Sequence, residues 1–170
     1  MLQFDSSVSQ DQVFSGVRKF LVKQGFLIAD QDDTRPWGGY FVIVESQAAD
    51  FIQLFFPDLS MSDFEGFQKL SPKILLVSPN KRLSWQYHLR RSEIWKVIGG
   101  RASVTMSKTD EEPDARPVSA GTVIELERGL RHRLIGLDEW GIIAEIWKHI
   151  DPENPSDEDD IIRVQDDFGR

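Results

Sequence analysis

Gln86, His88, Glu93 and His132 are the side chains whose types and spacing could do chemistry, by holding a metal ion. In an extended strand, residues two apart share a face, so Gln86 and His88 project together. Glu93 lies five residues beyond His88, across a turn, and the neighbouring strand can return it to that face. His132 comes from far along the chain, after the ERG turn at 127–129. Two imidazoles, a carboxylate and an amide oxygen suit one borderline divalent ion, with zinc the first expectation and Mn, Fe, Co or Ni the alternatives. Four protein ligands on an ion that accepts more leave room for a substrate oxygen. Each residue alone has an ordinary explanation, such as a hydrogen-bonded interior His or a surface Glu. Their joint spacing is what points to a metal.

The bulk composition narrows the classes. The chain has 170 residues, enough for one domain with a core, and no Cys, so any metal must be held by nitrogen and oxygen. No apolar run is long enough to cross a bilayer, and the first residues do not read as a secretory signal, so a cytoplasmic protein without a membrane partner is expected. Of the net charge of −8, residues 151–170 carry −6, with eight acids against Arg163 and Arg170. This tail reads as a solvated face. No Lys/Arg stripe interleaved with aromatics appears, so nucleic acid is not an expected partner.

The elements that must position the four ligands are mostly strands. Ser9 is a plausible N-cap for a helix whose Val13, Phe14, Val17, Phe20 and Leu21 recur at helical spacing, with Gly25 as the stop. Residues 31–34 read as polar linker and RPWGGY at 35–40 as a loop leading into a strand at 40–44. A second short helix at 46–56 ends at Pro57. Short runs at 73–78, 83–88, 94–98, 102–106, 122–126, 132–135 and 142–148, many rich in Val and Ile, read as strands separated by turns. KTDEEPDARP at 108–117 reads as a solvated hairpin loop. Many short strands without alternating helices give an all-β sandwich or barrel.

The two ligand segments resemble the paired motifs of the cupin superfamily, G-x5-H-x-H-x3–4-E-x6-G and G-x5-P-x-G-x2-H. Gln86, His88, Glu93 and Gly100 keep the first spacing, with Gln for the first His and Asn80 for the leading Gly. Gly121, Glu127, Gly129 and His132 keep the second, with Glu for Pro. More narrowly, RPWGGY at 35–40, RLSWQYH at 82–88, RHRL at 131–134 and DEDDIIRVQDDFGR at 157–170 resemble signatures of the type II mannose-6-phosphate isomerase family. That family also occurs as the C-terminal domain of bifunctional mannose-1-phosphate guanylyltransferases. The resemblance implies a jelly-roll cupin barrel at 35–170 with an N-terminal helical extension at 1–34, one domain overall. No Gly-rich phosphate loop is present, so nucleotide transfer is not expected. The family segment is His-rich where Leu89 and Arg90 stand here.

What the resemblance implies is a metal-dependent aldose–ketose isomerase converting mannose 6-phosphate and fructose 6-phosphate through a cis-enediol. The reaction needs charge stabilisation on oxygen and a base that reaches carbon. Glu145 is the base candidate, because it interrupts the apolar run GIIAEIW, where a carboxylate must face a polar cavity or an ion-pair partner. His149, at the end of that run, reads as a surface residue. Lys73 is the second catalytic candidate, and Arg91, Arg133 and Arg35 are candidates for the substrate phosphate. Strand alternation puts Arg133 opposite His132 unless a bulge intervenes, and Arg91 reads as a turn residue at the site mouth. The rivals are a non-catalytic sugar- or sugar-phosphate-binding cupin, an isomerase of another phosphorylated sugar, and a metal-dependent oxygenase. A homodimer is compatible with the pattern, though nothing demands it.

Overall fold

A computed structural model describes residues 2–170. Helix α1 (Gln10–Lys23) begins as its sequence dictates: Ser9 and Gln12 form a capping box, and Gly25 follows the last turn at φ +87°. Its Val13, Phe14, Val17 and Leu21 form one buried stripe. The shorter helix α2 (Ala48–Phe55) buries Phe51, Ile52 and Phe55. No helix of the described residues is long and apolar enough to cross a membrane.

The remaining elements are strands: β1 (Ile28–Arg35), β2 (Gly38–Ile43), β3 (Lys73–Val77), β4 (Trp85–Tyr87), β5 (Arg91–Gly99), β6 (Arg101–Ser107), β7 (Arg116–Ser119), β8 (Val123–Leu126), β9 (Arg131–Gly136), β10 (Gly141–His149) and β11 (Ile162–Gln165). They make two antiparallel sheets, ordered β1-β2-β3-β10-β5-β8 and β11-β4-β9-β6-β7. This is an all-β two-sheet architecture, as expected, with helices added on one side.

The six-stranded sheet is covered on both faces, and period-2 alternation divides its side chains between them. On β10, Ile142, Ala144 and Ile146 join the helices α1 and α2 in one core. Ile143 points the other way, into the core between the sheets, with Val77, Trp95, Val104 and Leu134. Glu145 and Trp147 follow Ile143 on that inner face. The register places Glu145 opposite Lys73 on β3 and Trp95 on β5, and Trp147 opposite Glu93. A polar cluster is thus set into one end of an apolar interior.

Three stretches differ from the sequence expectation. The polar linker at 31–34 is part of β1, an edge strand paired to β2. The solvated loop at 108–117 gives its last residues to β7, and the acidic tail contains β11, paired to β4. His149 is buried rather than at the surface, hydrogen-bonded to Ser71 Oγ at 2.9 Å. The β5–β6 hairpin turns at Gly100, at φ +60°, where a Cβ would lie 1.9 Å from the Trp140 carbonyl oxygen. Gly100→Ala is therefore expected to destabilise the fold by ~2–4 kcal/mol, more than the left-handed backbone alone explains. A urea melt read by tryptophan fluorescence measures it, and a loss below about 0.5 kcal/mol would refute the crowding argument.

Candidate metal centre

The candidate ligand set is assembled from β4 and β9 of one sheet and β5 of the other. Gln86 on β4 stands directly opposite His132 on β9, so the two share a face. His88 follows β4, and Glu93 returns on β5. All four are buried. One ligand atom from each of His88, Glu93 and His132 lies within 4.8 Å of the other two.

Hydrogen bonds fix both imidazoles in the form a metal requires. His132 Nδ1–H donates to the Leu130 carbonyl at 2.9 Å, and His88 Nδ1–H donates to the Asp160 carbonyl. Each Nε2 therefore carries a lone pair facing inward. Burial lowers the proton affinity of both rings, that of His88 to a pKa of about 3, so both are neutral near pH 7. Burial alone would raise the Glu93 carboxyl, but His88 and His132 once protonated in acid, and the Arg91 guanidinium at any pH, outweigh it and hold Glu93 at about 2. Glu93 Oε2 and His132 Nε2 lie 3.6 Å apart, and neither has a hydrogen-bond partner among the described residues. Two buried acceptors aimed at each other without a donor cost free energy that a cation between them would recover. The residues present therefore fit a divalent metal, held by His88, Glu93 and His132 with Gln86 beside them.

Arg91 is placed differently from its expected position on a turn at the mouth. It opens β5, two residues before Glu93 and on the same face, and is 2 % exposed. Its Nε donates to Glu93 Oε1 at 2.7 Å, Nη2 to His88 Nε2 at 3.1 Å, and Nη1 to Ser156 Oγ at 2.7 Å. The guanidinium lies 3.6 Å from the centre of the Trp147 ring.

Beside this cluster opens a small cavity, which Gln86, Arg91 and Glu93 help to line. Glu145 and Lys73 form part of its buried wall. Trp95 Nε1–H donates to Glu145 Oε1 at 2.8 Å. Burial, with the Glu93 charge close by, pushes the Glu145 carboxyl up to about 8 against the pull of Lys73 and Arg91. Lys73 pairs with Glu158 from the C-terminal segment and sits 3.4 Å from the Trp147 ring centre. Arg35 also lines the cavity, paired with Asp32 at 2.7 Å.

Arg133 is the candidate the structure separates from the rest. With no bulge in β9, alternation turns it away from His132 and out of the cavity. It is fully buried against Glu112, at 2.7 and 3.0 Å, and the Gln165 carbonyl at 3.1 Å. Conversely, Arg163 and Arg170 line the cavity but fell within a tail that reads as solvated. That tail is an integral wall. The Asp160 carboxylate accepts from the Leu89 and Arg90 backbone N–H groups at 3.0 and 2.9 Å and from Ser156 Oγ at 2.7 Å. The terminal DEDDIIRVQDDFGR motif was the available signal.

Known structures share the fold at low identity. CapF in complex with 3-isopropenyl-tropolone aligns with a TM-score of 0.54 at 14% identity, over 83% of this chain and 34% of that one. The capsular polysaccharide assembling protein CapF of Staphylococcus aureus gives 0.52 at 12% identity, over the same 83% and 34%. Vicilin of Corylus avellana (hazelnut) gives 0.51 at 18% identity, over 75% and 32%. The chain thus spans about a third of the length of each of these proteins. No curated protein sequence matches significantly. The family model described as mannose-6-phosphate isomerase C-terminal matches residues 52–166, which include all four candidate ligands, Lys73, Glu145 and most of the C-terminal wall. With this match over more than half its length, the chain belongs to the mannose-6-phosphate isomerase C-terminal family of cupins.

Proposed function

We propose that this protein is a metal-dependent aldose–ketose isomerase that interconverts mannose 6-phosphate and fructose 6-phosphate in the cytoplasm. The observation that carries the reading is a buried carboxyl with a raised pKa, Glu145, in the wall of a cavity that Gln86 and Glu93 of the donor set also line. Gln86, His88, Glu93 and His132 would hold the ion. When bound, a divalent cation supplies Lewis-acid stabilisation of the negative charge that develops on the substrate's carbonyl oxygen.

The chain's own groups do the rest. Glu145 accepts the proton from the carbon next to the carbonyl and returns it to the former carbonyl carbon, while the hydroxyl proton of the first carbon passes to the former carbonyl oxygen, and Trp95 Nε1–H keeps the Glu145 carboxyl aimed. Lys73, its neighbour across the strands, keeps a positive charge on the wall where oxygen becomes negative. Arg35 and Arg163 hold the phosphate. Burial and the nearby Arg170 and Arg35 charges lower the proton affinity of Arg163, and its buried Nε has no hydrogen-bond partner among the described residues. A phosphate would answer both conditions.

A sugar-phosphate-binding cupin without turnover is the second reading, motivated by Leu89 and Arg90 in place of family histidines. Leu89 is 53% exposed, and Arg90 bonds Asn154, the Pro155 carbonyl and Asp157. Neither lines the cavity, so the departure leaves the proposed chemistry untouched. The test is to offer mannose 6-phosphate, and separately glucose 6-phosphate, to the purified protein with each of Zn, Mn, Fe, Co and Ni, and to measure fructose 6-phosphate. Formation of fructose 6-phosphate from mannose 6-phosphate is expected. Tight binding without turnover of either sugar would instead establish the binding module. Within the isomerase, Arg163→Ala should raise KM for the phosphorylated sugar by roughly 10–100-fold with little change in kcat, because a phosphate held equally in ground and transition states contributes uniform binding. A kcat loss with constant KM would remove Arg163 from that role.

A further inference from the structure

We infer that the Arg91 guanidinium is a built-in cation of the donor set, and that it and a divalent metal are alternative occupants of His88 Nε2. The inference rests on the metal reading above and adds a competitor to it.

The argument begins with the number of lone pairs. His88 spends its Nδ1 proton on the Asp160 carbonyl, so Nε2 has one lone pair to give. Arg91 Nη2 already donates to that lone pair at 3.1 Å. One lone pair cannot serve a hydrogen bond and a coordination bond together, so a metal takes His88 only when Nη2 lets go. Glu93 is divided in the same way. Its Oε1 accepts from Arg91 Nε at 2.7 Å, while Oε2 faces the unpartnered His132 Nε2. Half of the donor set is therefore satisfied by the protein itself, and half is left for an external cation.

Arg91 is also anchored well enough to act as a competitor and not as a passing contact. Nη1 is fixed by Ser156 Oγ and, at 3.1 Å, by the Asp157 carbonyl, and the plane lies against Trp147. Because the guanidinium is a rigid plane, withdrawing Nη2 from His88 disturbs these contacts as well. The need to displace Nη2 from His88 lowers the observed metal affinity by a fixed factor, the reciprocal of the fraction of molecules in which His88 is free. The same guanidinium keeps the buried Glu93 carboxylate compensated when no metal is bound, so the fold does not depend on the ion.

Two measurements on the full chain test this: Zn²⁺ affinity by chelator competition, and thermal unfolding with and without EDTA. In Arg91→Met, the guanidinium is replaced by an apolar chain of similar reach. Zn²⁺ affinity is expected to rise by about tenfold or more. Its Tm should fall in EDTA and recover with Zn²⁺, by more than the Zn²⁺-dependent rise of the wild-type Tm. Should Arg91→Met not fold, Arg91→Lys keeps the charge but loses the two-armed bridge to Glu93 and His88, and a smaller rise of about threefold is expected. Wild-type or weaker Zn²⁺ affinity in a folded Arg91 variant overturns the inference and leaves the metal reading standing. Absence of Zn²⁺ binding in the wild type and in both variants overturns the metal reading, and this inference with it.

Discussion

Glu145→Gln is expected to lower kcat for sugar-phosphate isomerisation by ~10²–10⁴-fold while metal and substrate affinities stay within about twofold. The substitution preserves volume and leaves an oxygen to accept the Trp95 Nε1–H bond, so the cavity wall should persist. What it removes is the exchange of one proton with carbon. The same change separates catalysis from structure through pH. The folded pKa of Glu145 is raised from 4.5 to about 8, so the native state keeps a proton that the unfolded chain releases. The stability this group contributes is full below pH 4.5 and declines as pH rises through about 8, by ~1.4 kcal/mol per unit. Metal-free Glu145→Gln lacks that slope, so its Tm should gain on the wild-type Tm as pH rises from about 4.5 to about 8. A bound cation favours the carboxylate, which puts the rising limb of the wild-type kcat profile at or below pH 8. An undiminished kcat in Glu145→Gln would remove Glu145 from the chemistry. A simple ion pair with Lys73 is already a poor account of this carboxyl, because the Lys73 ammonium is paired with Glu158.

The convergence of the candidate donors was legible in the sequence because strand geometry is local. Two-residue spacing set Gln86 and His88 on one face, and the resemblance to cupin motifs supplied His132, which lands directly opposite Gln86. Arg91 was readable by the same rule, since it lies two residues before Glu93. It was misplaced because the turn was drawn through 91, whereas β5 already starts there. Strand β1 gave no signal for a different reason. An edge strand with half its residues exposed has no apolar alternation, and its QDDT at 31–34 reads as linker. The C-terminal wall was missed because its anchors are non-local. The Asp160 carboxylate takes N–H groups from 70 and 71 residues earlier, and no periodicity records such a bond. Arg133 shows the limit of residue type as a guide: placed beside a ligand in sequence, it faces the other way in space.

Glu93→Ala should abolish divalent-metal binding and, independently of metal, lower stability by ~3–5 kcal/mol, because it strands a buried guanidinium. Arg91 would keep Ser156 and the Trp147 ring but lose the carboxylate at 2.7 Å, with both neighbouring imidazoles neutral near pH 7. The acid limb supplies a second readout. The folded pKa of Glu93 is depressed from 4.5 to about 2, so its contribution is present above pH 4.5 and is lost as pH falls through about 2. Metal-free wild type should lose stability across that window, and Glu93→Ala should lack this component. Adding Arg91→Met to Glu93→Ala removes the stranded charge, so the double variant should be more stable than Glu93→Ala alone, a coupling that a double-mutant cycle isolates. If Glu93→Ala instead unfolds within about 0.5 kcal/mol of wild type, the carboxylate and the guanidinium are not balancing each other, and the electrostatic account of this centre fails.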